Sequence, residues 1–254
     1  MDLSKSVITL TFGDSAENHV GMEKIGNMVD KGKGFSVKDL IEIRERFGDS
    51  CELYDLNLED RKQDEAAVLV IRNGVNLFLK KENKHVELFD EHKVLDVDKK
   101  AFMYGRVVNK NARWNLCFDE EGHEPDYEKG KGRVIKYEDI PITKKLLRKF
   151  KKRIGEKAEN LKGEGNYYYN RNKCGIGFHG DAERRKVIAV RLGGSMPIHY
   201  QWFNGCKPIG KRFIIPLNGG DIYIMSEKAV GNDWKTRKID TLRHATGCDK
   251  FTKI

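Results

Sequence analysis

The sequence predicts an α+β protein with a strand-rich C-terminal core braced by two amphipathic helices. Three observations predict this class. Over the last ninety residues, short apolar runs at 187–192, 213–217, 221–225 and from 243 to the end alternate with turns. Gly-Gly pairs at 193–194 and 219–220 punctuate them, a rhythm of sandwiches or barrels rather than of a parallel α/β sheet. Two other stretches carry a helical repeat. The composition is that of a folded chain: 254 residues, 39% hydrophobic, 34% charged and 5 Pro, enough to bury a core and too apolar for wholesale disorder.

In chain order, the first 35 residues are rich in glycine, with Gly13, Gly21, Gly26, Gly32 and Gly34. Ser36-Val37-Lys38-Asp39 has the spacing of a capping box and opens an amphipathic helix to about Phe47, closed by Gly48. Ala66 to Arg72 and Val75 to Leu79 are β-rich runs around Asn73-Gly74, which predicts a hairpin. Strand-like pieces follow at 101–104 and 113–117. Pro141 and Thr143 start a second helix over 143–161, with Leu146, Leu147, Phe150 and Ile154 on one face. Seven bases and no acid fall between 143 and 153. They form either a solvated face or a surface for phosphates.

Lys and Arg number 48 against 39 Asp and Glu, a formal charge of +9, which favours polyanionic partners such as DNA or RNA. The 5 Cys are odd in number, scattered and never in a Cys-x-x-Cys pair. That argues against a disulfide framework and against structural zinc. No apolar run approaches the roughly 18 residues of a membrane span, and Met1-Asp2-Leu3-Ser4-Lys5 does not open a signal peptide. The expectation is a soluble, intracellular, reduced protein with no membrane partner.

The chemistry concentrates in the stretch from Asn166 to Glu183. His179 and Asp181 are two apart, so in an extended segment both side chains point the same way. Imidazole and carboxylate can then share a metal ion, with a third ligand from a later strand. The later histidines are His199 and His244. Two His and one carboxylate on one octahedral face make a non-haem Fe(II) oxygenase site, with positions open for a 2-oxo acid and O₂.

These residues resemble the Fe(II)/2-oxoglutarate-dependent dioxygenases, and within them the AlkB-like branch. His179-Gly180-Asp181 matches the family's His-x-Asp. Asn166 and Tyr168 resemble the Asn-x-Tyr before it, with Tyr169 as the alternative tyrosine. Gly175-Ile176-Gly177-Phe178 resembles the run leading into the histidine, and 217–226 the Leu-x-x-Gly-Asp-Leu-x-x-Met segment. The resemblance covers 164–254. It implies a double-stranded β-helix (jelly-roll) core with buttressing helices and an N-terminal α/β extension. The division is 1–140 and 141–254, one integrated unit in which 66–140 lends strands to the core. Strings such as Gly13-Asp14-Ser15-Ala16-Glu17-Asn18-His19 resemble proteins of large DNA viruses, which implies action in a host cell.

The resemblance further implies Fe(II) on His179, Asp181 and His244, with 2-oxoglutarate and O₂ as co-substrates. The two late arginines of AlkB are missing. Lys253, nine residues after His244, resembles the base that pairs the far carboxylate in prolyl hydroxylases, with Lys250 as the alternative. Asn166, Tyr168 and Tyr223 would help hold 2-oxoglutarate. Glu183, Arg243 and Trp202 would meet substrate, and Phe203 or Trp234 could also stack a base. The expected reaction oxidises a methyl or other C–H group on a nucleic-acid base, releasing succinate and CO₂. The alternatives are a prolyl or lysyl protein hydroxylase and a nucleic-acid-binding module with a vestigial site.

Overall fold

The computed structural model describes residues 1–59, 61 and 63–254. The chain opens on β1 (Val7–Gly13) and a small ribbon, β2 (Ser15–Glu17) with β3 (Lys24–Gly26). Helix α1 (Val37–Phe47) follows, and its capping box forms as predicted: Ser36 Oγ accepts from the Asp39 N–H, and Asp39 accepts from the Ser36 N–H. Strands β4 (Cys51–Asp55) and β5 (Ala67–Ile71) come next.

The predicted hairpin around Asn73-Gly74 does not form. Asn73 takes a left-handed turn (φ 50°), but the second run is helix α2 (Gly74–Leu79), packed against α4 and α3. A short apolar run carries no period that separates a strand from one helical turn. Gly74 lies so close to Ile222 that a Cβ would come within 2.9 Å of it. Helix α3 (Lys84–Lys93) leads to a real hairpin, β6 (Lys100–Met103) and β7 (Arg106–Asn109). It turns on Tyr104 and Gly105, both at positive φ, as a tight two-residue hairpin turn requires.

Strands β8 (Trp114–Asp119) and β9 (Val134–Lys136) precede helix α4 (Pro141–Ile154), which stops at Gly155 (φ 121°) rather than running to 161. Seven strands follow: β10 (Lys162–Tyr168), β11 (Gly175–His179), β12 (Val187–Gly193), β13 (Ile198–Asn204), β14 (Lys207–Ile215), β15 (Ile222–Met225) and β16 (Asp240–Gly247). Short helices α5 (Glu227–Val230) and α6 (Asp249–Thr252) flank β16.

The molecule is α+β, dominated by an eight-stranded sheet in the order β4-β5-β15-β12-β1-β10-β8-β9. A four-stranded sheet, β11-β16-β13-β14, is the second layer. Five strands of the large sheet come from the first 140 residues, so that portion is interleaved with the rest. The lending extends beyond 66–140: β1 lies between β10 and β12, antiparallel to both.

Alternation along β1 sorts the layers. Ile8, Leu10 and Phe12 point to the face covered by α1, α2, α3 and α4. On α4, Leu146, Phe150 and Ile154 are buried there, each contributing about 1.5–3 kcal/mol. Between the sheets, Val68, Val70, Val187, Ala189, Tyr223 and Met225 meet Ile198, Tyr200, Trp202 and Leu242. The basic surface of α4 is partly spoken for. Lys144 pairs with Glu138, Lys151 with Glu159, and Arg153 lies over Phe47 and Phe78.

A polar thread ties α3 and α4 to the sheet. The Tyr167 hydroxyl donates to His92 Nδ1 (3.0 Å), His92 Nε2 donates to Thr143 Oγ1 (2.7 Å), and Thr143 donates to Glu91 (2.7 Å). Glu91 also accepts the Ile142 and Thr143 N–H groups at the start of α4. Burial pushes the His92 pKa from 6.5 down to about 3. The fold therefore excludes a proton that the unfolded chain accepts. The His92 contribution to stability is complete above about pH 6.5 and is lost as pH falls from there towards about 3, by on the order of 5 kcal/mol. In His92→Gln the loss of urea stability between pH 7 and pH 5 is expected to shrink. An unchanged pH slope would assign it to other groups.

Candidate metal centre

Strands β11 and β16 are antiparallel neighbours, with His179 opposite His244 and, one strand further, Tyr200 opposite His244. The two imidazoles are 4.5 Å apart between centroids. Asp181 lies just beyond β11, its N–H donating to the Val230 carbonyl (3.0 Å). Each Nε2 is 3.5 Å from the same oxygen, Asp181 Oδ1. One ligand atom from each residue falls within 4.8 Å of the others. His179 Nδ1 donates to the Gly177 carbonyl (2.8 Å), which leaves the Nε2 lone pair free for a metal.

Charge around the cluster is organised by Arg184. This guanidinium is buried among three carboxylates: Glu164, Glu183 and, at 3.8 Å, the second oxygen of Asp181. Burial opposes ionisation of Asp181, but Arg184 and the two imidazoles outweigh it and hold the carboxyl well below the usual range. Burial and the neighbouring His244 push the His179 pKa down to about 3. An anionic Asp181 oxygen therefore stands beside a neutral His179 at neutral pH, and an imidazole must be neutral to bind a divalent metal. Glu183 moves the other way, raised by burial and by Asp181 and Glu164 against the pull of Arg184.

Gly180 is forced by its surroundings. A Cβ there would sit 2.0 Å from the Gly231 carbonyl oxygen, so the 231 loop crosses the backbone between the two ligands. Gly180→Ala is expected to displace Asp181, so any divalent metal held by the cluster, Fe(II) included, would bind at least tenfold more weakly. Calorimetric titration with Fe(II) under anaerobic conditions tests this, and unchanged affinity would show that the loop yields.

The large sheet presents a polar rung to the same interior. Register places Arg191, Thr9, Asn166 and Asn115 side by side on β12, β1, β10 and β8. Arg191 is fully buried. Its Nη1 donates to Thr9 Oγ1, while Nε and Nη2 have no partner. Among the described residues, no carboxylate lies within 4 Å of it. A buried cation without a counter-charge is costly, and these two N–H groups are left able to receive an anion. Tyr168 and Tyr223 are buried on this side, and Tyr223 feels the charges of both Arg191 and Asp181. From the small sheet the Tyr200 hydroxyl, also without a partner, faces inward.

No family model matches the chain. Over 257 residues it is 51% identical to the uncharacterized protein R156 of Acanthamoeba polyphaga mimivirus, an alignment that covers 98% of each chain. The chain belongs to the family of that protein. The relative is viral, in keeping with the N-terminal strings, and it shares essentially the whole chain rather than the C-terminal portion alone. No helix among the described residues is long and apolar enough to cross a membrane.

The structure brings together His179, Asp181 and His244, and it sets Tyr168, Asn166 and Tyr223 on the facing sheet. The Asn166 carbonyl accepts from Arg113 and Asn115, and its amide donates to Glu164, so it anchors a network. Tyr169 stacks on Trp114 instead, with its hydroxyl on the Asn111 carbonyl. Glu183 is occupied by Arg184.

Four expectations fail. Lys253 and Lys250 are exposed on and after α6 and have no polar contact with the cluster, because the last turn packs outside β11 and β16. Trp202 is fully buried and donates Nε1 to the Leu56 carbonyl (2.6 Å), so it cannot stack a base. Arg243 points away from the interior, as strand alternation requires of a neighbour of His244, and lies over Phe203. His199 shares that outer side, opposite Ala245.

Arg191, Arg184 and Tyr200 were not singled out from sequence. Arg191 left a signal, as the one charge inside the apolar run from Val187 to Leu192. Such a charge in a buried strand has to have a partner.

Proposed function

We propose that this protein is an Fe(II)- and 2-oxoglutarate-dependent dioxygenase. The observation that carries the proposal is the convergence of two imidazole Nε2 atoms on one Asp181 oxygen, across from a buried Arg191 with two unpartnered N–H groups. The donor set fits Fe(II), and Arg191 fits the far carboxylate of 2-oxoglutarate.

The strand order supports a double-stranded β-helix. From β10 to β16 the chain passes between the layers, and β15-β12-β1-β10 faces β11-β16-β13-β14. That makes eight strands in two four-stranded layers, the eighth supplied by β1 from the N-terminus.

The bound iron would supply the oxidising chemistry: 2-oxoglutarate and O₂ become succinate and CO₂, and the second oxygen atom enters a substrate C–H bond. His179, Asp181 and His244 would hold the ion. Arg184 engages the second Asp181 oxygen, so the first would be free to bind. Arg191 and Thr9 orient the co-substrate by its far carboxylate, in place of Lys253. Tyr168, Tyr200 and Tyr223 line a dry interior in which such contacts are strong.

For the substrate, the AlkB-like residues and the +9 charge favour a nucleic-acid base. An N-methyl group hydroxylated there would leave as formaldehyde. The lysine spacing that suggested a protein hydroxylase loses its basis with Lys253 in solvent.

The test is succinate production by anaerobically prepared protein given Fe(II), 2-oxoglutarate and then O₂, with and without methylated oligonucleotides. Turnover stimulated by an oligonucleotide is the expected result. Turnover that no oligonucleotide stimulates would retain the chemistry and move the substrate to a protein or small molecule. Absence of both Fe(II) binding and turnover would overturn the proposal and leave a vestigial site.

A further inference from the structure

We propose that the outer face of the four-stranded sheet is a docking surface for single-stranded nucleic acid. The inference does not depend on metal or on turnover. Alternation along β13 and β16 sends Tyr200 and His244 inward and therefore sends Phe203 and Arg243 outward, and Phe178 of β11, beside a bulge, joins them with its ring 6.0 Å from that of Phe203. On that outer face, cations and rings are interleaved. The Arg243 guanidinium lies 4.2 Å from the Phe203 ring centroid and 5.3 Å from that of Trp234. Arg212 reaches from β14 to within 5.3 Å of Phe178, and Lys235 stands 5.5 Å from Trp234.

Several arginines of the molecule, Arg61, Arg72, Arg133, Arg184 and Arg185 among them, are taken up by carboxylates. Arg212, Arg243 and Lys235 have no carboxylate within 4 Å among the described residues. The carboxylates at the fringe are Asp240, already held by Arg61 and Asn204, and Asp249 at the start of α6. Two buried donors on this face, Arg243 Nε and Trp234 Nε1, have no partner.

Arg212 donates to the Thr252 carbonyl and Arg243 to the Cys206 sulfur, but neither charge is neutralised, and a surface of such guanidinium groups beside flat rings is complementary to a chain of phosphates carrying planar bases. It fits a single strand better than a duplex, because stacking on Trp234 or Phe178 needs an unpaired base. Phe178 directly precedes His179 on β11, an edge strand of this sheet, so a strand lying here passes beside the metal cluster.

The test is fluorescence anisotropy of a labelled oligo-dT 20-mer titrated with the full chain in EDTA, over a range of salt. Arg212→Gln with Arg243→Gln is expected to weaken binding at least tenfold. It should also flatten the salt dependence by about 1.4 in log–log slope, two contacts at roughly 0.7 each. Trp234→Ala removes no charge and is expected to weaken binding about tenfold through lost stacking. Lys145→Gln with Lys149→Gln on α4 leaves binding unchanged, and circular dichroism confirms that each variant is folded. Three results would overturn the proposal: no binding at low salt, equal weakening by the α4 pair, or binding insensitive to Trp234→Ala and fully matched by heparin. The last would mean a surface for any polyanion. Succinate turnover is measured separately, so failure here and failure of the oxygenase reading are distinguishable.

Discussion

Replacing His179, Asp181 or His244 with alanine is expected to bring succinate production to background and to leave the fold intact. The three side chains meet through one oxygen, with both Nε2 atoms at 3.5 Å from Asp181 Oδ1, so each substitution removes a ligand that the other two cannot replace. Loss of an outer-shell partner alone typically costs about 10–100-fold in metal affinity, and loss of a ligand should cost at least that. Folding should survive because two imidazoles and a carboxylate clustered without metal contribute little to the core. Asp181→Ala carries the sharpest structural expectation, since it also removes one of three carboxylates around buried Arg184 while Glu164 and Glu183 keep that charge paired. Anaerobic Fe(II) titration, succinate assay and thermal melts on the three variants decide the matter. Retained turnover in any of them would remove that residue from the assignment.

Arg191→Met should separate function from stability. It removes a buried cation with two unsatisfied N–H groups and no carboxylate partner. Replacement by an apolar side chain of similar length should therefore be neutral or stabilising within about 1–2 kcal/mol, after allowing for the hydrogen bond Thr9 loses. The 2-oxoglutarate requirement should rise about a hundredfold or more, since charge-assisted hydrogen bonds are worth about 1.5–3 kcal/mol each. Lys253→Ala, at an exposed position, should leave that requirement unchanged. A lower melting temperature with an unchanged requirement in Arg191→Met would make Arg191 a structural residue.

The His179-Asp181 half of the cluster was legible because strand geometry is short-range. Residues two apart on a strand share a side, so His179 and Asp181 declared themselves together, and one of two later histidines had to complete the set. The choice of His244 over His199 rested on family resemblance, and the fold decides it by register, setting His244 opposite His179 and His199 on the outer side. The anchor proposed for the far carboxylate, Arg191, is hidden in an apolar run, whereas Lys253 stands at a familiar spacing. Spacing along the chain says nothing about what lies across an interior. The hairpin at Asn73-Gly74 failed for a related reason: a turn signal marks a change of direction, and packing against Ile222 and α4 made the next element a helix.

By itself, the sequence determined the α+β class, the capped helix α1, the amphipathic helix α4, the strand rhythm of the last ninety residues and the His-x-Asp pair. All of these depend on interactions within a few residues of chain. Tertiary structure decided that β1 enters the large sheet between β10 and β12. It also decided that Arg191 is buried beside Thr9 in the large sheet, that Lys253 is exposed, and that Arg243 and Phe203 share an outer face with Trp234. Each of these is a contact between segments tens to hundreds of residues apart. Such contacts are set by sheet order and by which side of a strand faces the core, and both are properties of the assembled layers rather than of any one segment.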